Sequence, residues 1–286
     1  MRDITYIDNF REGLRNFHKT PKVGVMGILN VTPDSFFDGG VNASAKEAIT
    51  SGLEMIRIGA DIIDVGGASS RPGSETVSAK EEWSRVEPVL KGLLDSDPNI
   101  SISIDTYRAE VARKAVEAGA IMINDISAGS LDPELLNVVA ELEVPYVLMH
   151  MSGKPKTMQN APFYEDVVGE VNDWFVKKIS ELSEAGIKNV ILDPGFGFGK
   201  RLEDNYALLN NLSSFSNLDL PILVGVSRKS MIYKALDCQP SEALNGTSAT
   251  HAWALERGAS LLRVHDVAEA REVVALHHHL CKAKTH

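Results

Sequence analysis

The sequence predicts an α/β chain folded as a single (β/α)8 (TIM) barrel, and two observations predict it. One is a recurring unit: a helix tail, a glycine, a short apolar run and a polar residue. It occurs as RIGADIIDVGG (57–67), EAGAIMINDI (117–126), EAGIKNVILDPG (184–195) and ERGASLLRVHD (256–266). The glycine of each unit (Gly59, Gly119, Gly186, Gly258) reads as a left-handed helix stop. The apolar run lacks alternation, as in a strand covered on both faces. The other observation is that eight strand–helix pairs follow one another with no break in composition and no linker. Eight units favour a closed barrel over an open sheet. A chain of 286 residues also suits one barrel, typically about 250 residues. The expected organisation is a short N-terminal extension over 1–21 and one barrel domain over 22–286.

Taken in order, Phe10, Leu14 and Phe17 recur at helical spacing and predict a short amphipathic helix across the barrel bottom. Strand 1 is Val23–Leu29, followed by NVTPDSFFDGG (30–40), whose composition suits a loop that closes on a ligand. Helix 1 starts at Ser44, with Glu47 completing a capping box. Strand 2, Asp61–Val65, runs into GGASSRPGS (66–74), and Ser78 with Glu81 opens helix 2. Strand 3, Ile100–Ile104, ends on Asp105, and Thr106 can cap helix 3. Strand 4, Ile121–Ile123, ends on Asn124-Asp125, and Asp132-Pro133 opens helix 4. Strand 5, Pro145–Met149, ends on His150, and helix 5 covers Glu165–Ala185. Strand 6, Val190–Asp193, is followed by helix 6 over Glu203–Leu212. Strand 7, Ile222–Val226, ends in SRKS (227–230), and helix 7 runs from Ser241 to Arg257. Strand 8, Leu261–Val264, carries Arg263, and Arg263 and His265 share a face. Helix 8 closes the chain.

Composition excludes several functions. The formal net charge of −10 argues against nonspecific binding to nucleic acid or to an anionic membrane. Cys238 and Cys281 are far apart, with neither metal spacing nor a disulfide framework, which suits a reducing cytoplasm. Asp3, Asp8 and Glu12 stand where a signal peptide would need an apolar core. No apolar run approaches the roughly 20 residues of a membrane span.

The densest chemistry lies in VILDPGFGFGK (190–200). A short buried strand ends on a carboxylate, beside a loop whose three glycines let backbone approach a ligand closely. It is not a phosphate-binding Walker loop, because Pro194 stands at the first glycine position and Arg201 where Ser or Thr is needed. Lys200 at the third glycine position excludes a dinucleotide fingerprint. In a (β/α)8 barrel the site lies at the C-terminal strand ends. Asp105, Asn124 and Asp193 there suit a flat heterocycle with several N–H groups, since a carboxylate accepts two parallel N–H bonds. Ser70, Arg71, Lys229, Arg263 and His265 suit phosphate or pyrophosphate. Screening limits the field of the net charge to about 8 Å, so a local cluster of three cations can dominate the cleft. A divalent metal near Asn30 would strengthen it.

The segments NVTPDSF, GGASSRPG, SIDT, IND, LMHMSGKPKTMQ, DPGFGFGK, VGVSRKS and RVHD stand in this order over residues 25–267. They resemble the ordered motifs of the dihydropteroate synthase family, the sulfonamide target that joins a dihydropterin methyl pyrophosphate to p-aminobenzoate in folate synthesis. The resemblance implies that Asp105, Asn124, Asp193 and Lys229 hold the pterin, with Phe198 lining its slot. It implies that Asn30, Ser70, Arg71, Arg263 and His265 hold the pyrophosphate, with Mg2+ near Asn30. The aminobenzoate site would be built from Phe36, Ser70, Pro72, Ser227 and Lys229. Asp105, Lys229 and Arg263 would carry the catalysis, a dissociative substitution. The family is usually a homodimer, and Ala249, Ala252, Trp253 and Leu255 on helix 7 could serve an interface or face the barrel. Two positions depart from the family. Ala68-Ser69-Ser70-Arg71-Pro72-Gly73 stands where Glu-Ser-Thr-Arg-Pro-Gly is common, and Phe37 where a serine is common. Both bear on the aminobenzoate pocket rather than on the pterin site.

Other residues have plainer readings. The glycines after Asp64 already explain its turn, so it reads as structural. His150 reads as a core histidine, and Phe196 as packing on the barrel top. Lys154 and Lys156 read as solvated, and His277–His279 as a solvated helix end, because successive helix residues point about 100° apart. Two rival functions remain at this point. A methyltetrahydrofolate-binding methyltransferase barrel has no reason for the cations of SRKS, SSRPG and RVH. A noncatalytic pterin-binding paralogue has no reason to fill every expected polar position.

Overall fold

Most strands of the protein are apolar runs buried on both faces, as a parallel sheet covered by helices requires. The computed structural model describes residues 23–31, 40–68, 77–153 and 162–283. Its strands are β1 (Gly24–Asn30), β2 (Ile62–Gly66), β3 (Ile102–Asp105), β4 (Met122–Asp125), β5 (Tyr146–Met149), β6 (Val190–Asp193), β7 (Leu223–Val224) and β8 (Leu261–Val264). They form one sheet in the order β6-β5-β4-β3-β2-β1-β8-β7, and every pair is parallel. A single parallel bridge between Leu192 and Ile222 joins the two edge strands and completes the barrel.

The helices are α1 (Gly40–Arg57), α2 (Ala79–Ser96), α3 (Ala109–Glu117), α4 (Glu134–Leu142), α5 (Val167–Glu184), α6 (Leu202–Asn210), α7 (Leu244–Glu256) and α8 (Val267–Ala283). The four unit glycines all have positive φ, from 86° at Gly186 to 115° at Gly119, as left-handed stops require. Ser78 caps α2, its hydroxyl accepting from Glu81 N at 3.2 Å. The Glu81 carboxylate turns instead to Arg85, so the box is half closed.

Other boundaries differ from the sequence expectation. Helix α1 begins at Gly40, four residues before Ser44. Thr106 does not cap α3; its hydroxyl accepts from Arg108 N, while Asp132 Oδ2 accepts from Ala109 N at 2.8 Å. The cap thus comes from a residue 23 positions away, which local patterning cannot see. Strand β7 is only two residues long, and the segment before α7 holds a one-turn helix, Ser230–Tyr233, and a 3-10 turn, Pro240–Glu242. His277 is not solvated: it lies between Glu256 at 3.2 Å and Cys281 at 3.4 Å. Leu255 and Ala254 pack inward, whereas Ala249 and Trp253 are exposed. The expected helix over 1–21, and Lys154 and Lys156, lie outside the described residues.

The barrel interior explains where the site must be. Met26, Ile62, Met122, Val147, Ile191, Leu223 and Leu261 form one apolar layer, one residue from each of seven strands. Side chains alternate along a strand, so residues two positions on point the same way. Those residues are Ile28, Asp64, Asn124, Met149, Asp193, Gly225 and Arg263. The interior thus changes from apolar to largely polar in one step toward the C-terminal strand ends. Among the described residues no helix is long and apolar enough to cross a membrane.

Candidate active site

The centre of the polar layer is Arg263 on β8. Its Nε donates to Asp64 Oδ2 and its Nη2 to Asp105 Oδ2, both at 2.6 Å. Asp64, on β2, is fully buried and also accepts from Asn124 Nδ2 at 2.9 Å. Burial works against the guanidinium's charge, but Asp64 and Asp105 more than offset it and raise its pKa. Asp105 moves the other way from an ordinary carboxylate. Burial raises it to about 7, against the pull of Arg263 and with the help of Asp64, Glu82 and Asp125. Asp64 Oδ1 is buried with no hydrogen-bond partner among the described residues. The glycines after it account for the turn, whereas its carboxylate holds Asn124 and Arg263, contacts that the local sequence does not show.

The second part is the loop after β6. Asp193 Oδ1 accepts from Gly195 N at 2.8 Å, which fixes the carboxylate's orientation. Burial raises its pKa, and Lys229 opposes the shift. Lys229 donates to Phe196 O at 2.7 Å, and its ammonium lies 4.7 Å from the centroid of the Phe198 ring. Burial brings its pKa down to about 8, with Asp193 acting in the opposite sense. Phe196 is fully buried, as expected of a packing residue, while Phe198 faces Lys229. Arg228, the neighbouring cation of SRKS, is bound to Asp266 at 2.7 Å and 2.8 Å. Lys229 is therefore the cation of that segment that reaches the cleft.

His265 accepts or donates at Nδ1 to Ser227 Oγ at 3.1 Å, and its backbone N–H donates to the same oxygen. Burial and Arg263 lower its pKa to about 4, so it is a neutral hydrogen-bonding group at neutral pH and not a cation. Asn30 ends β1 and is partly buried, beside Gly66 at the end of β2, which also faces Asp105. Among the described residues no three His, Cys, Asp or Glu side chains form a metal cage. The structure thus brings together Asp105, Asn124, Asp193, Phe198, Lys229 and Arg263, with Ser227 and His265 alongside. Ser70, Arg71, Pro72 and Phe36 lie outside the described residues. His150 is buried, as expected, but it meets Lys200, a residue the sequence reading used only to exclude a fingerprint.

The family model described as "Pterin binding enzyme" matches residues 26–265. The chain is 50% identical over 252 residues to the dihydropteroate synthase of Escherichia coli K12, covering 87% of this chain and 89% of that protein. The Xanthomonas albilineans dihydropteroate synthase solved with 4-aminobenzoic acid has a TM-score of 0.85 and 44% identity, covering 91% of this chain and 93% of that one. The same enzyme solved with 7,8-dihydropteroate has a TM-score of 0.82 and 42% identity, covering 91% and 95%.

The raised pKa of Asp105 has a measurable sign. Its unfolded value is about 3.9, so the folded state holds the proton more tightly. Its contribution to stability is complete below the unfolded value and is lost as pH rises through about 7. Asp105→Asn removes that dependence. In urea titrations, the stability of the variant relative to the parent should therefore increase between about pH 5 and about pH 8. A difference that stays flat over this window overturns the raised value.

Proposed function

The chain belongs to the dihydropteroate synthase family of pterin-binding enzymes, and from that premise we propose that it condenses 6-hydroxymethyl-7,8-dihydropterin pyrophosphate with p-aminobenzoate, giving 7,8-dihydropteroate and pyrophosphate in folate biosynthesis. The observation that carries the reading is the convergence of Asp105, Asn124, Asp193 and Lys229 around Arg263 at one end of the barrel.

Asn124 and Asp193 supply acceptors for the amino-pyrimidinone edge of the pterin. Because Asn124 Nδ2 is committed to Asp64, its Oδ1 is the atom left to face ligand N–H groups. Phe198 and Lys229 flank the ring. Arg263 keeps Nη1 free of partners among the described residues, and that nitrogen meets the pyrophosphate together with Asn30, Ser70, Arg71 and neutral His265. The p-aminobenzoate lies against Phe36, Ser70, Pro72, Ser227 and Lys229. Mg2+ fits this donor set only as an ion shared with the substrate: Asn30 offers one neutral oxygen, and phosphate oxygens and water would supply the rest. Bound there, it would neutralise charge on the leaving pyrophosphate.

The chemistry is a dissociative substitution. The C–O bond to pyrophosphate breaks, and its electron pair leaves with the oxygen. The dihydropterin delocalises the positive charge left on the methylene. The Asp105 carboxylate, poorly solvated and fixed, stabilises that cation more than water would. The neutral arylamine then donates its lone pair to the methylene, and the nitrogen loses a proton. The chain works as a homodimer, and exposed Trp253 on α7 with exposed Leu276 and Leu280 on α8, two helices that pack together, are the apolar residues available to a second copy. It works in the cytoplasm, in keeping with its two unpaired cysteines.

Three measurements check this reading. Pyrophosphate release from the dihydropterin substrate with Mg2+ should require p-aminobenzoate and should fall by about 100-fold or more in Asp193→Ala. No release by the parent protein, despite tight pterin binding, counts against the synthase. Fluorination of the reacting methylene should slow the reaction strongly if a cation forms; a rate within about twofold removes the dissociative mechanism. Trp253→Glu should halve the mass found by sedimentation equilibrium. A monomeric parent, or a variant that stays dimeric, excludes this interface.

A further inference from the structure

Lys200 and Asn205 touch none of the residues assigned to substrate except through the loop over 195–199. Gly195, Gly197 and Gly199 all have positive φ, at 69°, 80° and 62°. Such a segment has many unbound conformations, and fixing each residue costs about 1–2 kcal/mol of entropy. Here the fixing is done by side chains. Lys200 Nζ, 4% exposed with its residue, donates to Gly195 O at 3.0 Å, Phe198 O at 3.1 Å and His150 O at 3.2 Å. His150 Nδ1 lies 3.0 Å away. Burial, followed by the Lys200 charge, lowers the His150 pKa to about 3, so the ring is neutral and can accept.

Asn205, on α6, takes the amide between those carbonyls: Gly197 N donates to its Oδ1 at 2.6 Å. Its own Nδ2 is held by Arg201 O at 2.6 Å. Tyr164 OH donates to Gly199 O at 3.1 Å, and Lys229 takes Phe196 O from the cleft side. Each residue from 195 to 199 thus has a backbone group tied to a side chain. The loop is also pressed against the end of β5: a Cβ on Gly195 would lie 1.9 Å from His150 O, and one on Gly199 would lie 2.4 Å from Ser152 O.

The ammonium is an expensive way to fill this space. Among the described residues its hydrogen-bond partners are all neutral, and burial brings its pKa down to about 7. An apolar chain of the same length would fill the volume without the desolvation cost. What the ammonium adds is three directed hydrogen bonds and an attraction to Asp193 that opposes the effect of burial.

We propose that Lys200 and Asn205 are positioning residues for pterin recognition, bracing the glycine loop from behind so that Asp193, the Phe198 ring and Lys229 meet the ring system in one fixed geometry. This rests on the pterin role given above to those three residues. Preorganisation of this kind acts on binding rather than on overall stability.

The test uses Lys200→Met, which keeps length and removes the donors, and Asn205→Leu, with Asp193→Ala as the reference. The readouts are calorimetric affinity for 6-hydroxymethylpterin, both KM values, kcat and the melting temperature. Each brace variant should bind the pterin about tenfold or more weakly and raise the KM of the pterin substrate by a similar factor. The KM for p-aminobenzoate, whose site shares only Lys229 with the braced set, should rise by less than the KM of the pterin substrate. A folded Lys200→Met with parental pterin affinity and a lowered melting temperature overturns the proposal, because a purely structural lysine gives that result. Should Lys200→Met fail to fold, Asn205→Leu decides by the same criterion. Should both fail, hydrogen exchange of the unliganded parent decides: amides 195–199 exchanging as fast as in a free peptide overturn the brace, and protected amides support it. Parental pterin affinity in Asp193→Ala brings down the site reading and the brace together. Loss in Asp193→Ala alone removes only the brace.

Discussion

One guanidinium organises the functional end of this barrel. Arg263 on β8 takes carboxylates from β2 and β3, and the β2 carboxylate takes the amide of β4. Buried charges are tolerated only where they are paired and hydrogen-bonded. Each member of the cluster therefore constrains the others. Asp64 holds Arg263 and orients Asn124, while Arg263 keeps Asp105 from rising further in pKa than burial and three nearby acids would drive it. The net charge of −10 has little bearing on this region, because the local order of acids and cations sets the field that a ligand meets.

Much of the architecture was legible because the physics behind it is local. A glycine that ends a helix must adopt positive φ, and an apolar run without alternation must be covered on both faces. The strand-end position of Asn124, Asp193 and Arg263 followed from those two rules. What could not be read depends on chain segments far apart in sequence. Asp132 caps a helix that starts 23 residues before it, so Thr106 was the wrong choice. Strand β7 has only two residues, both paired with β8, and the neighbouring Ile222 makes the one bridge to β6.

Two site residues were passed over for instructive reasons. Asp64 looked explained by the glycines that follow it, yet those glycines account for the backbone turn and not for the carboxylate. Its contacts depend on tertiary pairing: β2 and β8 both flank β1, with Asp64 opposite Ile28 and Arg263 opposite Met26, and the two side chains meet across it. Lys200 looked like an interruption in a glycine pattern. Its side chain instead turns back beneath the loop it ends, where no spacing rule looks. His265 was expected among the cations, but burial beside Arg263 leaves it neutral.

The closure between β6 and β7 carries a consequence of its own. Every other neighbouring pair of strands shares at least two residue pairs of ladder, whereas this seam has one bridge. The loops that follow these two strands carry Asp193 on one side and Lys229 on the other, and Lys229 already crosses the gap to Phe196 O. A molecule gripped by both sides acts as a rivet across the seam that has the least backbone pairing among the described residues. Occupancy and cylinder integrity are then thermodynamically linked.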